Sequence, residues 1–223
     1  PTEAYLVIGA LPGLGDAAGL YHYAPREHAL ERRADYSALM YAALMRGFPA
    51  QALLVGLSSI HWREAWKYGE RAFRYCQHDA GHAIGALRIA AASLGWTATV
   101  LDCLADEAIE DLLGLNRAED FVGAEREHPV AMLAFWPTDV TRDGQARTHL
   151  GDAPGLVSAL AHPLNDACWY GAANRLSRDD PMRCEVIDEV AAATRKPAGE
   201  AKSLDTPATP GIERDGVASD DGP

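Results

Sequence analysis

Lys67 and Tyr68 stand side by side in "WKYGERAFRY" (66 to 75), a stretch that also carries Arg71 and Arg74 among four aromatic residues. A lysine beside a tyrosine near a hydrophobic helix can form an acid–base pair. Burial lowers a lysine pKa until the ammonium exchanges protons near neutral pH, and the phenol offers a second proton site. The same spacing also suits a solvated basic helix face anchored by aromatic rings. Local sequence leaves both open.

The next segment, "CQHDAGHAIGALRIAAASLGW" (76 to 96), raises a metal question. His78 and His82 are four apart, which puts both on one face of a helix, with Cys76 and Asp79 close by. A bound metal would need a third or fourth ligand. The glutamate of an HExxH pattern is missing, no second ligand pair follows at a zinc-like interval, and Asp79 points about 100° away from His78. No metal is expected. Gly81 and Gly85 each cost about 1 kcal/mol relative to alanine inside a helix. Two of them four apart predict a face where another backbone, or a flat ligand, comes close. Ile84, Leu87, Ala91 and Leu94 form the neighbouring apolar stripe, so the segment reads as a buried central helix.

These residues need elements to hold them. "EAYLVIGAL" (3 to 11) is β-branched and aromatic and ends at Pro12-Gly13, so it reads as a strand. Residues 19 to 33 read as a hairpin turning at Pro25-Arg26-Glu27. "ADYSALMYAALMRG" has helical spacing and stops at Gly47. "AQALLVGLSSI" (50 to 60) is apolar for long enough to be a strand buried on both faces. Residues 62 to 96 predict two helices joined near Tyr75 to Asp79 and ending at Gly95. A short strand at 97 to 101, an acidic amphipathic helix closed by Gly114 and a strand at 128 to 137 follow. Strands and helices are thus interleaved in an α+β or α/β pattern. From about Thr138 apolar periodicity weakens, and a helix returns near 183–196. From Pro197 onward the chain has too little apolar bulk to order itself, and a disordered tail or linker is expected. No internal repeat is visible.

Composition narrows the functional class. The chain has 223 residues, 48% of them hydrophobic, enough for one sizeable core. Its 32 acidic against 20 basic residues give a net charge of -12, which argues against a nucleic-acid surface. Four cysteines without a CxxC pair suggest reduced thiols and a cytoplasmic setting. No apolar run reaches the roughly 18 residues of a membrane span. The opening "PTEAYLVIGALPG" goes straight into a strand, so the sequence is expected to start within a domain.

Taken together, "WREAWKYGERAFRYCQHDAGHAIGALRIAAASLGW", the opening "PTEAYLV…GLYHYAPREHALE" and the later "HPVAMLAFWP" resemble the SagB-type, nitroreductase-like flavoproteins, which include the azoline oxidases of ribosomal peptide pathways. The likeness covers about residues 1–137. It implies an α+β nitroreductase-like fold in which a sheet is flanked by helices, with a central buried helix. It further implies FMN at a homodimer interface, or at a pseudo-dimer interface in a tandem protein. Lys67 and Tyr68 fall on the KYG pair that serves as the catalytic acid–base pair in the peptide-azoline oxidases. Arg74, Gly81, His82 and Gly85 become the candidate flavin neighbours. The family's Arg-Ser-x-Arg phosphate motif and its Ser-Gly-rich loop would lie before Pro1. Residues 169 to 197 resemble the stretch that follows the first unit of double-domain members, which implies a piece of a longer protein. The implied activity is FMN-dependent oxidation of an azoline or a related small-molecule or peptide substrate. The alternative is a flavin-free domain serving dimerisation or scaffolding. Neither a nucleic-acid nor a membrane partner is expected.

Overall fold

Residues 1–49, 51–138, 167–175 and 184–197 are described by a computed structural model. Its strands are β1 (Thr2–Ile8), β2 (Gly19–Ala24), β3 (Ala29–Asp35), β4 (Leu53–Ser59), β5 (Trp96–Val100), β6 (His128–Pro137) and β7 (Cys168–Trp169). Its helices are α1 (Ala38–Leu44), α2 (Trp62–Tyr68), α3 (Ala72–Ser93), α4 (Asp106–Leu113) and α5 (Glu185–Ala193). The strands form one antiparallel sheet in the order β5-β6-β4-β1-β2-β3-β7. The fold is α+β, as expected. Residues from 198 onward, where most of the proposed tail falls, lie outside the described residues.

Strand alternation builds a core on each face of the sheet. In β6, Met132, Ala134 and Trp136 point to one side, where they join Leu54, Leu20 and Val7 beneath Leu44 of α1 and Ile109, Leu112 and Leu113 of α4. Ala131, Leu133 and Phe135 point to the other, where Val55 and Leu57 meet Ala83, Ile84, Leu87 and Ala91 of α3. β4 and β6 lie inside the sheet with partners on both edges, which is why both read as near-continuous apolar runs. At Gly56 of β4, an added Cβ would meet Leu113 at 2.6 Å. Only a residue without a side chain lets α4 settle on the strand there.

Helix ends follow local chemistry. The Ser37 hydroxyl accepts the Met40 amide at 3.2 Å and starts α1. Gly114 takes the left-handed conformation, φ 70°, that closes α4. The break between α2 and α3 differs from expectation. It comes at Gly69, φ 58° and ψ -139°, followed by a 3-10 turn over Gly69–Arg71. Tyr75 to Asp79 run unbroken inside α3. The wrong-handed glycine, and not the aromatic-to-polar change in sequence, ends the first helix. The two-residue β7 on the edge of β3 is too short to leave a periodic signal.

α3 spans the middle of one sheet face, yet only one side of it is covered. Ala72, Cys76, Ala80 and Ala91 are buried, whereas Arg74, His78, Gly81, His82 and Ile89 are exposed. A Cβ added at Gly81 or Gly85 would meet nothing within 4 Å. The close approach expected at these glycines is therefore not made by any described part of the chain.

Candidate functional site

Lys67 and Tyr68 occupy the last turn of α2, held by the Gly69 turn against the first turn of α3. The Lys67 ammonium lies 5.0 Å from the centre of the Tyr68 ring. The Tyr68 ring in turn packs on Tyr75 at 4.4 Å and 43°. Tyr68 and Phe73 also rest against Ala65, Ala72 and Ile187, which ties this corner to α5. Tyr75, His78 and His82 follow at helical spacing, so Tyr68 stands at the N-terminal end of a row on the open side of α3. The structure thus brings Lys67 to Tyr68, and sets exposed Gly81 and His82 and half-buried Gly85 along the open side of α3. The Arg74 Nε donates to His78 Nε2 at 3.4 Å.

The lysine departs from expectation. Lys67 is exposed, and hydrogen bonding and attraction to the Tyr68 hydroxyl hold its pKa above the ordinary lysine value. The lowering by burial does not operate here, because nothing in the described chain covers the side chain. At neutral pH Lys67 is a cation beside the Tyr68 ring. Cys76, one turn into α3, is buried beneath the helix, and that burial pushes its thiol pKa up.

Sequence reading missed a buried polar cluster that fixes α2. His22 on β2 bridges Glu3 on β1 and Glu31 on β3, 2.8 Å from each. Glu3 also pairs with Arg63 in the first turn of α2, one turn before Lys67. Tyr5 donates to Glu127 at 2.8 Å, and Ser58 to the same oxygen at 2.5 Å. Burial works against both charges of the His22–Glu3 pair. Their mutual hydrogen bond prevails, with Glu31 adding to His22 and Arg63 to Glu3. It holds His22 above and Glu3 below its ordinary pKa. The His22–Glu31 half was within reach of the sequence, since the hairpin register sets the two residues opposite each other. The Glu3 half was not, because the loop from residue 9 to 18 leaves the β1–β2 register free.

The comparisons with known proteins decide the family. Residues 16–134, more than half of the chain, match the model of the Nitroreductase family. This chain belongs to the nitroreductase family. A Methanocaldococcus jannaschii protein named as a putative nitroreductase is 29% identical over 120 residues, which make up 52% of this chain and 60% of that protein. A crystal structure of a protein of the same name from Anabaena variabilis superposes with a TM-score of 0.53 at 21% identity, covering 92% of this chain and 37% of the other. The nitroreductase match thus spans 60% of the archaeal relative and 37% of the Anabaena chain. The microcin synthetase McbBCD complex of E. coli, with truncated pro-MccB17 bound, gives a TM-score of 0.48 at 19% identity over 62% of this chain and 52% of that one, too loose to add weight.

Proposed function

We propose that this nitroreductase-family chain is part of an FMN-dependent oxidoreductase of the SagB type that dehydrogenates an azoline or a related ring in a small-molecule or peptide substrate. The observation that carries the reading is the Lys67 ammonium against the Tyr68 ring, at the head of a bare glycine face. That face fits one wall of a flavin site. Gly81 and Gly85 leave room for a flat ring, His82 borders them, and Arg74 offers a cation at the edge. A flavin held there would supply the hydride acceptor. Ring desaturation also releases a proton, and the chain's own residues handle it. The Lys67 charge would favour the phenolate form of Tyr68, which takes the proton at its oxygen and becomes the neutral phenol.

The open side of α3, with Ile89 74% exposed, suits a second copy or a tandem repeat, so a homodimer or pseudo-dimer is proposed. Four free cysteines support a reducing, cytoplasmic setting. Among the described residues no helix is long and apolar enough to cross a membrane.

The exposure of Lys67 favours a second reading, in which the domain holds no flavin and serves as a scaffold. Absorbance decides between them. Protein purified or reconstituted with FMN should be yellow and turn over a thiazoline-containing peptide. Protein that stays colourless after reconstitution supports the scaffold.

A further inference from the structure

A cavity of about 420 Å³ opens between the start of β6, the junctions of β4 with α2 and α2 with α3, and the inner side of α5. Its size is that of a small-molecule site. One end is aromatic. The His61 ring stacks on His128 at 4.3 Å and 17°, and meets Phe73 edge-on at 5.3 Å. His61 is only 5% exposed, and its Nδ1 has no hydrogen-bond partner. An unpaired buried ring nitrogen is costly, and this one belongs to a residue that lines an open cavity.

The other end is charged. Arg126, Arg195 and Lys196 line it together with Asp106 and Asp188. Arg195 is neutralised by a two-point contact with Glu110, at 2.8 and 2.6 Å. Asp106 is engaged by the Lys196 backbone amide at 2.9 Å. The amide leaves the Asp106 charge in place, so the Arg126 guanidinium and the Lys196 ammonium, neither of them in an ion pair among the described residues, share this end with the carboxylates of Asp106 and Asp188. Burial, mutual proximity and the Arg126 charge hold His128 down at about 4, and burial holds His61 below its ordinary value. Both rings are therefore neutral at neutral pH and present apolar, stackable faces.

We infer that this cavity binds a small organic anion, its carboxylate or phosphate facing Arg126 and Lys196 and its flat or apolar body lying along His128, Pro129 and Val130. The cavity shares Phe73 with the Lys67–Tyr68 corner, but neither Lys67 nor Tyr68 lines it, so the inference does not depend on the flavin reading.

Phenyl phosphate is a direct probe, with benzoate as the carboxylate arm, inorganic phosphate as a head without a body and phenol as a body without a head. The full chain is titrated at constant ionic strength while the ring signals of its eight histidines are followed by NMR. Saturable shifts confined to His61 and His128 are expected, assigned by their loss in His128→Gln. Saturation should also raise the His128 pKa from about 4. Phenyl phosphate or benzoate should bind about tenfold or more tightly than inorganic phosphate or phenol. Arg126→Gln and Lys196→Gln should each weaken the probe by about tenfold, the usual loss of a charged hydrogen bond, without moving the melting temperature. Absence of a saturable shift, equal response of all histidines, binding by phenol alone, or unchanged affinity in the Arg126→Gln/Lys196→Gln double variant would each overturn the inference. So would equal affinity for inorganic phosphate, which would show that the body is not recognised.

Discussion

Tyr68 presents a clean residue-scale test, because its hydroxyl can be removed while the ring stays packed on Tyr75. Tyr68→Phe and Lys67→Ala should each slow oxidation by about 10²–10⁴-fold, the range of general acid–base groups. Flavin content should stay near normal. The two side chains would share one proton network, so the double variant should be barely worse than the worse single one. The raised pKa of Lys67 sharpens the roles. A cation that stabilises a phenolate is replaceable by another cation, whereas a neutral base is not. Lys67→Arg should therefore keep most of the rate that Lys67→Met loses, in flavin-loaded protein assayed on a thiazoline peptide. Equal loss in both would remove the electrostatic role, and full turnover in Lys67→Ala and Tyr68→Phe would return the segment to a basic, aromatic surface.

At the scale of elements, the open side of α3 separates two demands that one sequence pattern cannot tell apart. Gly81 and Gly85 signalled a close approach, yet a Cβ added at either would meet nothing within 4 Å in the described chain. Gly81→Leu should therefore leave the single chain folded and no less stable, since leucine is the better helix former by somewhat under 1 kcal/mol. If a second copy packs there, the same change should shift sedimentation toward monomer. Unchanged assembly would show that the partner lies elsewhere. The elements themselves were legible where periodicity is strong. β6 and β4 announced themselves by apolar runs, the β2–β3 hairpin by its turn, and α4 by its stripe and Gly114. The α2–α3 break was not, because it depends on the conformation of Gly69, and a lone glycine inside a helical pattern does not reveal its φ. β7 and the His22–Glu3 bridge were also hidden, since both are made by contacts distant in sequence. At the site, the Lys67–Tyr68 pair was visible as adjacent letters, whereas the His61–His128 stack joins residues on separate elements.

Across the whole molecule, two sets of histidines pull stability in opposite directions with pH. His22 has its folded pKa raised by Glu3 and Glu31 against the cost of burial. Its contribution is complete below the unfolded value of about 6.5 and is lost as pH rises through the folded one. His61 and His128 are buried neutral and resist protonation. Between about 6.5 and 4 the unfolded chain takes up protons that the folded chain refuses, so stability falls as pH falls through that window. For His128 the effect is at most about 3 kcal/mol before solvent screening, from a folded value of about 4. Stability should therefore peak near neutral pH, with separable limbs. Glu3, held low, acts only below the usual carboxylate range, and Glu127, raised chiefly by burial, is common to every variant. Differences from the parent chain cancel both in His128→Asn, whereas His22→Gln also removes what holds Glu3 low and is therefore read on the alkaline limb alone. Urea unfolding measured from about pH 4.5 to 8.5 should show the acid limb flattened in His128→Asn with the alkaline limb intact, and the alkaline limb flattened in His22→Gln. If both variants merely lower the profile in parallel, neither histidine is titrating with folding, and the opposed pKa shifts of the two clusters play no part in the pH dependence of this fold.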